Sequence, residues 1–120
     1  MKKHKLSAND FKYFCEMTVQ SLGILGVTDY EITIIQKDLG ENLGETSIDM
    51  ESGQGVIRVN NLWDTKPTRE DIKGVAIHEA CEALLWGLMC QGLVAVSEAY
   101  VNAERHRVIS RLVPMLRRLV

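Results

Sequence analysis

The stretch "GVAIHEACEALLWGLMC", residues 74–90, limits what this chain can become more than any other. It is apolar or small almost all round, and a helix without a polar face is a helix covered on most sides. Apart from the thiols, its only ionisable side chains are His78, Glu79 and Glu82. A carboxylate buried there without a partner is strongly unfavourable, or its pKa moves until it is neutral. The fold must therefore bring a partner to each group, and a divalent cation is one partner that would serve all three.

The spacing favours that cation. His78 and Glu82 are four residues apart, so they lie one above the other on the same helix face. Glu79 is turned about 100° from His78 and can flank a metal without sharing the ligand face. This is the logic of the HExxH zinc helix, two ligands one turn apart with a Glu between them to take a proton from bound water. Here Glu82 stands where the second His would be. The third ligand is expected from the last helix, where Val101, Val108, Leu112, Met115 and Leu119 recur at helical spacing and Glu104 lies on the same stripe. Glu98, one turn nearer the helix start, and His106, about 200° around from Glu104, are the other candidates for that place.

The other parts follow from period and punctuation. Ser7, with Asp10 three residues on, predicts a helix start, and Phe11, Phe14, Cys15, Thr18, Val19 and Leu22 make one apolar face before Gly23 and Gly26 end it. The stretches 30–38, 44–52 and 55–63 alternate, with short glycine-containing connections between them. They predict an antiparallel meander of three strands. Pro67 and Thr68 open the motif helix, Gly92 or the residues just before it close it, and a final helix starts near Ser97 with Pro114 as a potential kink. The expected fold class is α+β: an N-terminal helix, a three-stranded meander, then a buried motif helix and a C-terminal helix.

Composition narrows the partners. A chain of 120 residues suits one domain, 1–120, and 14 basic against 16 acidic side chains give no general reason to expect nucleic acid. The basic tail "RLVPMLRRLV" is read as a helix end with cations near its negative pole. Residues 74–104 lack Lys and Arg but carry His78, Glu79, Glu82, Glu98 and Glu104, too many ionisable groups for a membrane span. The start "MKKHKLSANDF" has no apolar run of a signal peptide, and Cys15, Cys81 and Cys90 have no CxxC spacing. Reduced thiols and a cytoplasmic location are the expectation. Cys81, Leu85, Trp86 and Met89 are read as core, and "DLGENLGETS" lacks any phosphate-cradling pattern. Nothing in the residues indicates an oligomeric state.

Taken with the order of parts, "HEACEALL" followed by "ERHRVISRLVPML" resembles the gluzincin metallopeptidases, and more closely the small phage and prophage proteins with a minigluzincin-like fold. Those relatives read "HE..H.LL" and then an "E..HxVxRLxPLL"-like text. The resemblance covers most of the chain as architecture and about twenty residues as text. It implies a zincin-like fold with His78 as first metal ligand, Glu79 as general base and Glu104 as the carboxylate ligand. It also implies a peptide adding as a strand beside the edge 55–61, and a bacterial host cell as the location. Glu82 departs from the pattern. Two carboxylates and one imidazole make a neutral, harder site, so zinc is expected with Mn²⁺ or another divalent ion more competitive, and bound water is acidified less.

Two functions follow from the chain. One is a metal-dependent peptidase in which His78, Glu82 and Glu104 hold the metal and Glu79 activates water. The other is a catalytically silent binding or assembly protein of phage type that keeps the fold. A third, an all-helical nucleotide hydrolase using Glu79, Glu82 and Glu98 around Mg²⁺, requires helices where the alternation predicts strands.

Overall fold

The computed structural model describes residues 3–95 and 98–120, and the side chains at 87, 88 and 90–95 are not among those described. Ser97, the expected start of the last helix, and the Cys90 side chain lie outside the described residues. Among the described residues the chain is α+β, with three helices and two small sheets. In order these are β1 (His4–Lys5), α1 (Ala8–Leu25), β2 (Glu31–Lys37), β3 (Gly44–Asp49), β4 (Gln54–Asn60), β5 (Leu62–Trp63), α2 (Arg69–Ala95) and α3 (Glu98–Arg117).

The helix boundaries obey local chemistry. Ser7 Oγ accepts from the Asp10 N–H at 3.0 Å, and Gly26 closes α1 in the left-handed conformation (φ 71°). Thr68 and Asp71 form a reciprocal capping box: Asp71 N–H donates to Thr68 Oγ1 and Thr68 N–H donates to Asp71 Oδ2, both at 3.1 Å. Helix α2 does not stop at Gly92 but continues to Ala95. No helix among the described residues is long and apolar enough to cross a membrane.

The main sheet corrects the expected meander. Its order is β2-β4-β3, with β4 parallel to β2 (Ile34 opposite Ile57) and antiparallel to β3 (Thr46 opposite Ile57). The stretch 55–61, expected as an edge, is therefore central over residues 55–60 and offers no side there for an added peptide. Burial explains the order. Strand β4 hides Gly55, Ile57, Val59 and Asn60, whereas β2 is half exposed and β3 buries only Ile48. The most apolar strand takes the middle. Skipping one strand needs only about 10 Å, within reach of the six residues 38–43. Loop length thus leaves the meander and this crossover equally open.

Asn60 holds the crossover. Its Nδ2 donates to Gly40 O at 3.0 Å and to Asn42 O at 2.8 Å, and its Oδ1 accepts from the N–H groups of Leu62 (3.0 Å) and Leu39 (3.4 Å). Its backbone N–H donates to Leu43 O at 2.8 Å, and its carbonyl accepts from Trp63 Nε1 at 2.7 Å. Asn60 is 1% exposed, so its polar atoms must be answered by protein, and the loop supplies the answers.

Helix α2 divides its surface among its neighbours. Ile72, Ala76, Ala80 and Ala83 join the core that contains Phe14, Met17 and Leu22 of α1 with Ile48, Ile57 and Val59 of the sheet. Ile77 and Cys81 instead form a second cluster with Ile109 and Leu116 of α3. The two helices run antiparallel, since Arg117 reaches Glu70 (3.3 Å) while Arg105 reaches Glu82 (3.5 Å).

Replacing Asn60 by Ala should lower stability by about 2–4 kcal/mol, because four hydrogen bonds vanish and some of the freed loop groups are poorly solvated. Urea unfolding of the two proteins checks this, and a change below 1 kcal/mol, set against a typical single-bond value of about 1 kcal/mol, would remove Asn60 from its assigned role.

Candidate functional site

The sequence places His78, Glu79 and Glu82 on α2, and the fold gives each a different neighbour. Glu79 turns to the sheet. Its Oε1 accepts from Thr46 Oγ1 at 2.8 Å, and the same hydroxyl lies 3.2 Å from the Glu79 carbonyl. Gly44 makes room for it: a Cβ there would stand 2.8 Å from Glu79 Oε2 and 2.9 Å from its Cγ. Glu79 is 5% exposed. Burial pushes its carboxyl up to about 7, and the Thr46 bond opposes that shift without cancelling it.

His78 and Glu82 pair within the helix, Nε2 to Oε1 at 3.3 Å, as their four-residue spacing requires. That hydrogen bond raises the His78 pKa above its ordinary value, outweighing burial, which lowers it. The other oxygen of Glu82 faces Arg105 Nε of α3 at 3.5 Å. Arg105 also donates from Nη1 to Met89 Sδ at 3.4 Å, and its Nη2 lies 3.4 Å from His106 Nε2.

Glu104 is elsewhere. It sits at the protein surface and accepts from Arg107 Nε at 3.0 Å and Nη2 at 2.6 Å, which holds its carboxyl below the usual range. Glu98 is exposed in the first turn of α3 and His106 is exposed too. The structure thus joins His78 with Glu82 and brings none of the three candidate ligands of α3 to them as a metal group. Among the described residues, no group of three His, Cys, Asp or Glu could hold a metal ion. With a guanidinium against Glu82, the donors present do not fit a resident divalent cation in this arrangement.

The physical reason is a rotation of α3. Its buried face carries Val101, Ile109 and Leu116, with Leu112 and Val113 packed beside them, while Met115 is 62% and Leu119 66% exposed. The buried face turns by less than the roughly 100° of one residue, keeping Val101 and Leu112, and that is enough to leave Glu104 outside and bring Arg105 inside. The signal was present in the sequence, since Arg105, Ile109, Leu112 and Leu116 follow one another at steps of four, three and four. An arginine on an apolar face is easily passed over because its type is mostly exposed.

Cys81 is fully buried and burial, with Glu82 nearby, raises its thiol to about 11, so it packs rather than reacts. The nucleotide-hydrolase arrangement fails on its premise, because the residues it needs as helix form β2, β3 and β4.

His78 and Glu79 line an open cleft of about 690 Å³ together with Gly44, Trp63, Asp64 and Arg117. Beside it lies a free strand edge. The bond from Asn60 N–H to Leu43 O sets the phase of the β3–β4 ladder. Glu45, Ser47 and Asp49 therefore direct their main-chain groups to β4, and Gly44, Thr46 and Ile48 direct theirs away from it. Among the described residues no strand pairs with that outer edge.

Glu79 sets a pH dependence. Its folded pKa, about 7, lies above the ordinary 4.5, so the folded state holds the proton more tightly than the unfolded state. The resulting stability is full below the ordinary value and is lost as pH rises to about 7. Glu79→Gln removes that loss, so the variant should be more stable than the parent by roughly 1–3 kcal/mol at pH 8 and closely matched at pH 4. Denaturant unfolding across pH measures the difference; a constant offset would contradict the assignment. Comparison with protein-family models, with curated proteins and with solved structures finds no match for the chain.

Proposed function

We propose that the protein is a catalytically silent binding protein of the phage type its sequence resembles, with a zincin-like fold, and that it takes an extended peptide or protein tail along β3. One observation carries this reading. Strand β3 is an edge with outward N–H and C=O groups at Gly44, Thr46 and Ile48, and its first residue, Gly44, lines the cleft with His78 and Glu79. An unpaired edge invites another strand, with main-chain hydrogen bonds for affinity and side-chain pockets for choice. Glu41, Asp64 and Asp71 line the cleft with Arg117, whose charge is engaged by Glu70. This acidic excess suits a segment carrying Lys or Arg even though Lys3 already pairs with Asp64. The pairing of Glu104 with Arg107, apart from His78 and Glu82, supports the silent reading, since a zinc peptidase needs three ligands around one ion.

Hydrolysis of the bound segment is the second reading, and Glu79 favours it. A carboxyl near 7 at the wall of an open cleft has the proton affinity of a general base working at neutral pH.

Selection of random peptides on the protein, followed by amide chemical-shift mapping, tests the binding reading. Selected peptides should perturb Gly44, Thr46 and Ile48. Thr46→Pro, which removes an outward N–H, should abolish binding, while Thr46→Val, which keeps it, should not. Shifts confined to another surface would overturn the proposal. Cleavage of the selected peptides that disappears in Glu79→Gln would instead favour the hydrolase.

A further inference from the structure

We infer that Arg105 is the resident cation of this site: α3 carries its own positive charge to the place beside His78 and Glu82 that a divalent ion would need, so the α2–α3 pair closes without metal. The geometry is specific. Glu82 is 9% exposed, and its two oxygens are used in opposite directions, Oε1 toward His78 at 3.3 Å and Oε2 toward Arg105 at 3.5 Å. The Arg105 side chain is 20% exposed and its Nε is buried without a hydrogen-bond partner, so the contact with Glu82 is one of charge with charge. Met89 Sδ and the His106 ring hold the two ends of the guanidinium.

Charge arithmetic agrees. One carboxylate and one guanidinium sum to zero, so the pair compensates itself where the solvent is largely excluded, and His78 adds a hydrogen bond to the same carboxylate. A divalent ion ligated by His78 and Glu82 would lie against a cation of like sign, and the carboxylate that could have balanced it, Glu104, is bound to Arg107 outside. Arginine suits this office because it stays charged when buried and spans a broad, flat contact. Its residue-long helical offset from Glu104 exchanges a ligand for a counter-ion. The inference concerns folding and metal exclusion, and holds whether or not β3 receives a peptide.

The test is a double-mutant cycle combined with a metal titration on the full chain. The parent protein should show the same unfolding midpoint with a chelator and with one equivalent of Zn²⁺, and should retain no stoichiometric zinc after desalting. Arg105→Met should raise the unfolding equilibrium constant roughly tenfold or more, because Glu82 is left buried and unpaired. Arg105→Lys should restore part of that loss. Adding Glu82→Gln to Arg105→Met should bring the constant back to within about threefold of Glu82→Gln alone, a coupling that independent sites do not give. Stoichiometric zinc on the parent protein with a raised midpoint, or effects of the two substitutions that simply multiply, would overturn the inference. If Arg105→Met does not fold, the Nε–H resonance of Arg105 decides: it should shift between the parent and Glu82→Gln, and an unchanged resonance refutes the contact.

Discussion

Everything in this molecule is arranged around the need to cover α2 while answering the two carboxylates it carries. A helix enclosed on most sides leaves Glu79 and Glu82 without water, and a desolvated carboxylate must be neutralised or paired. The two are treated differently. Glu79 meets a hydroxyl from Thr46 and keeps its proton up to about 7. Glu82 stays within an ion pair of His78 and Arg105. One answer docks the edge strand on the helix and the other docks α3, so local electrostatics and tertiary assembly are the same problem here.

The sheet depends on a second polar centre. Asn60 terminates β4 and binds the loop that carries the chain from β2 past it to β3. This crossover leaves β3 outermost and adjacent to α2, with Gly44 at its start under the Glu79 side chain. A meander would have put β4 at the edge instead. The free edge, the cleft and the Glu79 environment therefore share a dependence on how one buried asparagine is satisfied.

Much of this was legible in residue order. Ser7, Thr68 and Asp71 mark helix starts through hydrogen bonds they make within three residues, so local text suffices to find them. The strand segments show their alternation, and the buried character of α2 is plain from its lack of a polar face. Pairing was not legible, because a six-residue connection reaches one strand or two with equal ease. The rotation of α3 was legible only as one of two alternatives. Val101 and Leu112 fit either apolar stripe, and only the packing of Ile109 and Leu116 on Ile77 and Cys81 chooses between them.

The sequence by itself determined that His78 and Glu82 would share one helix face and that Glu79 would lie about 100° around from His78. Those relations follow from backbone geometry over a single turn, which no tertiary contact can alter. The tertiary structure alone decided what each would meet. A turn of the buried face of α3 by less than one residue, set by the fit of Ile109 and Leu116, left Glu104 outside and brought Arg105 to the site. Packing selects among helix faces by summed contact over many side chains, a quantity absent from any local stretch of sequence.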